Sequence, residues 1–138
     1  MPNGDDIEPV IRYGFLFAGA WNVLGILSFS KFFTNRFLAT VDPAVFSWLG
    51  QVAIVLRGFA YWSVANSYQH VPWLLVVFLV EKMIYGGTWL KWLMAKGKTL
   101  PKIASESVLT AGFFSVYGAG DLIFGVFFGW LALRVLKA

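Results

Sequence analysis

The sequence predicts an all-α, polytopic membrane protein: an up-down bundle of four transmembrane helices forming a single domain over residues 1–138. Three observations predict it. Hydrophobic residues fill 59% of the 138 positions and charged residues only 13%, too little charge to coat a soluble domain of this size. Four apolar stretches, near residues 10–30, 44–65, 72–94 and 106–135, are each long enough for a hydrocarbon core of roughly 30 Å at about 1.5 Å per residue. Aromatic residues reach 19% and include seven Trp, a residue favoured at membrane interfaces.

Residues 1–8 read as a short, mobile polar tail. Pro9 suits a first helical turn, and the first helix follows. In it Gly14, Ala18, Asn22 and Gly25 recur at helical spacing, a small-residue stripe that faces another helix rather than lipid. The acidic start lacks the basic region of a signal peptide, so this helix is expected to be retained. Residues 31–41 form a loop carrying Lys31 and Arg36. Asp42-Pro43 combines an N-cap with Pro at the first helical position, opening the second helix. There Gly50, Ala53, Arg57, Ala60 and Val64 define one face, which sets Arg57 among small residues.

Residues 66–71 form a short loop with the surface histidine His70. Pro72 opens the third helix, where Gly86-Gly87 is a point of weakness. A basic loop over residues 91–104 carries turn signals at Gly97 and Pro101. Ser105 is the expected N-cap of the fourth helix, with Glu106 in its first turn. Tyr117, Asp121, Gly125 and Gly129 then share a face, and Gly125-xxx-Gly129 permits close helix approach.

The candidate site is built from charges inside these spans. The third helix carries Glu81 and Lys82 side by side near its middle, and Arg57 and Asp121 lie deep in the second and fourth. A charge at such depth costs roughly 2.5–3.5 kcal/mol on the mildest scale. With antiparallel helices, Asn22, Arg57, Glu81 and Asp121 fall roughly 12–20 Å from one set of helix ends, in one broad polar layer. The charges of Arg57, Lys82, Glu81 and Asp121 cancel, as burial requires. Arg57, with its forked donors, is expected to pair with Asp121, Glu81 or both. Lys82 lies about 100° round the helix from Glu81 and either joins the cluster or snorkels towards an interface. Trp21, Tyr61, Trp62, Tyr85 and Tyr117 lie near this layer in sequence. They form either an aromatic wall with cation–π capacity or ordinary core and interfacial packing.

Composition narrows the chemistry. There is no Cys, hence no disulfide, thiolate metal site or lipid-attachment Cys, and a single His excludes a poly-His metal or haem centre. No cofactor is expected. The net charge of +4 reflects loop lysines and arginines, and no basic run interleaved with aromatics speaks for nucleic acid. Gly118-Ala119-Gly120 lacks the Lys-Ser/Thr of a phosphate loop. Lys31, Arg36, Lys91, Lys96, Lys98 and Lys102 outnumber Arg12, Arg134 and Lys137. The basic loops therefore belong in the cytoplasm and both termini outside it, in what is expected to be a bacterial inner membrane.

The four-helix layout resembles small membrane families such as the DoxX-like proteins. The acid within a four-helix bundle is similar to that of sterol-isomerase bundles. The likeness is one of architecture: VEKMIYGG and GAGDLIFG match no motif specific to either, so it assigns no role to a residue. Three functions fit. The first is a non-enzymatic protein that binds a lipid or small hydrophobic ligand, or serves as an accessory or structural subunit of a homo-oligomer or larger membrane complex. The second is a proton-coupled transporter or channel protomer. The third is an integral-membrane enzyme on a lipid or isoprenoid, using Glu81 and Asp121 as acid and base.

Overall fold

A computed structural model describes residues 4–138, with side chains from residue 7 onwards. Every regular element is a helix; no strand occurs among the described residues. The chain divides into two units, Met1–Ser67 and Tyr68–Ala138, each built on an antiparallel helical hairpin.

In the first unit α1 (Gly4–Phe29) packs on α4 (Trp48–Val64). The tail expected over residues 1–8 is helical from Gly4, and its first three residues lie outside the described residues. Pro9 therefore sits inside α1 rather than in its first turn. The two helices run in opposite senses: Trp62 Nε1 donates to the Leu16 carbonyl at 2.9 Å, and Asn22 Nδ2 to the Ile54 carbonyl at 3.1 Å. Gly58 allows the close approach, since a Cβ there would lie 2.6 Å from Val23 Cγ2 and 2.9 Å from the Gly19 carbonyl.

The connection from α1 to α4 is more structured than a loop. Lys31, Phe32 and Phe33 all adopt left-handed backbone, with φ of 51°, 56° and 68°. Non-glycine residues pay roughly 1–2 kcal/mol each for that conformation. Buried Ser30 offsets it: its Oγ accepts from the Phe33 N–H at 2.9 Å, and its carbonyl accepts from the N–H groups of Thr34 and Asn35. Two short helices follow, α2 (Arg36–Val41) and α3 (Pro43–Phe46), anchored by buried Leu38 and Phe46.

Asp42 does cap a helix that has Pro43 in its first turn, but the helix is the four-residue α3. Ser47 is extended and caps α4 through Gly50 N–H at 3.1 Å. The second long helix is thereby shortened from the expected 44–65 to 17 residues, about 26 Å.

In the second unit a 3₁₀ turn (Tyr68–His70), with His70 exposed, leads into α5 (Pro72–Lys96), which has Pro72 in its first turn as the sequence suggested. Gly86-Gly87 neither ends nor interrupts it. The basic loop expected at 91–104 is instead helical: α5 runs to Lys96, a 3₁₀ turn spans Gly97–Thr99, and α6 occupies Leu100–Glu106. Pro101 starts a helix there rather than a turn, because its fixed φ suits a first turn. α7 (Val108–Lys137) completes the hairpin. Its N-cap is Ser107, whose Oγ accepts from Thr110 N–H at 3.1 Å, so Ser105 and Glu106 belong to the end of α6.

Three stretches are long and apolar enough to cross a membrane: Ile7–Phe29, Pro72–Glu106 and Val108–Lys137. Each hairpin shows a buried stripe and an exposed apolar one. On α5 the buried stripe is Leu75, Phe78, Lys82, Gly86, Trp89 and Trp92, and the opposite stripe exposes Trp73, Val77, Val80 and Ile84. Exposed Val, Ile and Trp in such a row is the pattern of a lipid-facing surface rather than an aqueous one.

Candidate functional site

The buried stripe of α5 carries one charge, Lys82, and the facing stripe of α7 carries another, Asp121. Their spacing explains the meeting. Leu75, Phe78, Lys82, Gly86 and Trp89 recur every three or four residues, as do Phe114, Tyr117, Asp121, Gly125 and Phe128 on α7. Lys82 Nζ donates to Asp121 Oδ1 at 2.8 Å, with side chains 3% and 10% exposed. Lys82 lies ten residues, about 15 Å, into α5, and Asp121 thirteen residues, about 20 Å, into α7. Both therefore lie near the middle of their helices. The ammonium also lies 5.9 Å from the centre of the Phe124 ring, at the outer reach of a cation–π contact.

Side chains and glycines interlock on both sides of the pair. A Cβ on Gly118 would lie 2.1 Å from Trp89 Cγ, one on Gly125 2.1 Å from Met83 Cε, and one on Gly86 2.4 Å from Leu122 Cδ2. Trp89 Nε1 donates to the Phe114 carbonyl at 2.7 Å. Gly125 and Gly129 thus serve the α5–α7 contact, Gly129 receiving Leu79.

Towards the α6 end of the hairpin lies an aromatic cluster. Tyr117 stacks on Phe113 at 5.0 Å and meets Phe114 and Trp89 edge-on at 5.7 and 6.4 Å, while Trp92 packs on Phe114 at 4.8 Å. Trp92 Nε1 is buried with no hydrogen-bond partner among the described residues.

The first unit holds Asn22, Arg57 and Tyr61. Asn22 is buried on α1, and Tyr61 is fully buried on α4. Arg57 is half-buried. Gly58, Ile54, Val55, Gln51 and Tyr61 are the buried residues of α4, so the line facing α1 runs through Gly58, about 100° round from Arg57. Gly25 is likewise off the contact, with open space where a Cβ would stand. The remaining candidates, Glu81 and Tyr85, are half-buried on α5.

The sequence leaves Lys82 either to join the cluster of Arg57, Glu81 and Asp121 or to snorkel towards an interface; the structure joins it to Asp121. The signal was present: Lys82 falls on the stripe through Phe78, Gly86 and Trp89, whereas Glu81 stands about 100° away. Phe124, the ring beside the ammonium, was not among the aromatics singled out.

Among the described residues no group of three or more His, Asp or Glu is placed to hold a metal ion. No family model, curated protein or solved structure matches the chain, so neither the DoxX-like nor the sterol-isomerase likeness gains support.

Proposed function

We propose that this chain is a multi-pass integral membrane protein that works without catalysis, as an accessory or structural subunit within a membrane complex. In this reading all four long helices lie in the bilayer as one domain, with the shorter α4 spanning through local thinning or flanking residues, and the basic connections face the cytoplasm. The observation that carries the proposal is the Lys82–Asp121 pair. Its two charges neutralise each other at 2.8 Å behind tightly packed glycine faces. A general acid or a proton carrier needs to change charge and to meet its substrate or a water path. A paired, enclosed ammonium and carboxylate instead suit fixing which helix lies against which, and at what height. Long exposed apolar stripes on α5 and α7 then supply surface for other transmembrane helices and for lipid.

Mild detergent extraction followed by native mass spectrometry tests this. The expected result is a defined mass containing this chain bound to further membrane-protein chains, and no proton flux when the purified chain is reconstituted into liposomes. Pyranine-detected proton uptake that disappears with Asp121→Asn would overturn it in favour of a proton-coupled carrier. Turnover of a lipid that disappears with the same change would overturn it in favour of an enzyme.

A further inference from the structure

The segment that closes the second hairpin is strongly basic. Residues 91–106 hold Lys91, Lys96, Lys98 and Lys102 against Glu106 alone, and all four lysines are exposed. Residues 66–72, at the start of the same hairpin, hold no Lys, Arg, Asp or Glu. The basic segment is also ordered. Buried Ile103 seats α6, the Thr99 hydroxyl donates to the Lys96 carbonyl and the Ser105 hydroxyl to the Lys102 carbonyl, each at 2.6 Å, and Ser107 caps α7 directly after. The four ammonium groups therefore hang from fixed backbone, not from a freely moving loop.

Their height is set by the buried pair. With Lys82 at the bilayer midplane, Lys91 stands nine residues further on, about 14 Å, at the edge of the hydrocarbon core. Lys96 stands about 21 Å out, at the level of lipid phosphates, and the 3₁₀ turn and α6 continue from there. Lys91 also prolongs the exposed stripe through Val77, Val80 and Ile84, so it emerges on the lipid side of α5. Met94, 86% exposed, adds apolar surface at the same boundary.

We propose that residues 91–102 form a binding surface for the anionic headgroups of phospholipids. The inference rests on the reading of the chain as membrane-spanning. Ammonium groups are compact, strongly hydrated point charges suited to single phosphates, and the bilayer presents those phosphates at this height. Each lysine of such a cluster strengthens binding roughly fivefold.

The test uses the full chain in detergent, titrated with phosphatidylglycerol or with phosphatidylcholine of the same acyl chains, and bound lipid is counted by native mass spectrometry. Phosphatidylglycerol should bind at least about tenfold more tightly, and the preference should shrink as NaCl is raised. The combined change K91Q/K96Q/K98Q/K102Q should remove the preference, whereas R134Q/K137Q at the other end of the hairpin should keep it. K98Q/K102Q alone, on the exposed turn and α6, should weaken it by an order of magnitude with helicity unchanged, which separates lost binding from lost folding.

Equal affinity for the two lipids would overturn the proposal, as would a preference that survives the fourfold change. So would displacement of the lipid by millimolar inorganic phosphate, or capture of an acidic protein by these lysines with no lipid preference. If the chain needs no detergent to stay in solution, the membrane reading itself fails, a result distinct from an absent lipid preference.

Discussion

Asp121→Ala removes the carboxylate that the Lys82 ammonium meets inside the α5–α7 contact. At the observed 2.8 Å, the attraction between unit charges in a medium of effective dielectric about 20 is about 6 kcal/mol. Desolvation of both groups cancels much of that, so the intact pair contributes little net stability. Removing one partner is different, because the surviving charge keeps its desolvation cost and loses the ion pair that offset it. With 3% and 10% of the side chains exposed, relief by water is small, and the loss should be about 3–5 kcal/mol. Lys82→Met should cost less than Asp121→Ala, since an unbranched apolar chain fills the same volume, while Ala leaves a gap where the carboxylate stood. The double variant Lys82→Met/Asp121→Leu should return to within about 1–2 kcal/mol of the parent or exceed it. Thermal unfolding in one detergent, followed by circular dichroism, with Asp121→Leu added as the matching single variant, gives all four corners of the cycle. Additive losses, with a coupling below about 0.5 kcal/mol, would refute the pairing as described.

Four further outcomes are expected in the same assay. Gly118→Ala sets a methyl 2.1 Å from Trp89 Cγ and displaces the indole from the Phe114 carbonyl, so it should destabilise by about 1–3 kcal/mol; Gly112→Ala, with nothing within 4 Å, should be neutral or gain up to about 1 kcal/mol. Lys31→Gly relieves a residue held at φ 51° and should stabilise by a fraction of the roughly 1–2 kcal/mol left-handed cost; a clear loss would show that the turn depends on the lysine side chain. Trp92→Phe removes a buried, unpartnered N–H and keeps a ring against Phe114; the change should stay within about 1 kcal/mol, and a loss above about 3 kcal/mol would show that the indole N–H has an acceptor.

The elements that local chemistry dictates were readable in the sequence. Helical class, the start at Pro72, the cap at Asp42, the burial of Asn22 and the inward face of Tyr117 and Asp121 all follow from periodicity and capping. Two things were not readable. The first was where a helix divides: Asp42-Pro43 is a true start signal, but Ser47 repeats the signal four residues after Pro43, and Gly50 allows the corner because a Cβ there would lie 2.1 Å from the Val45 carbonyl. The second was rotation about the axis. A step of one residue turns a helix by about 100°, which is enough to decide that Gly58 lies on the α4 line facing α1 and Lys82 on the α5 line facing α7. Small-residue patterns identify a packing helix, yet only the bulky side chains that occupy the gaps, such as Trp89 against Gly118, decide which line of the helix faces its neighbour.

The separation of Lys82 and Asp121 by 39 residues has a consequence for biogenesis. If the chain spans the membrane as proposed, α5 reaches the insertion machinery before Asp121 has been synthesised. During that interval Lys82 would lack its carboxylate at a depth where a charge costs roughly 2.5–3.5 kcal/mol, which would favour α5 lingering beside the translocon instead of moving freely into lipid. Arrival of α7 with Asp121 would end the delay, and the two helices could partition as a couple. The same two residues that hold the finished hairpin in place would therefore also time its release into the bilayer.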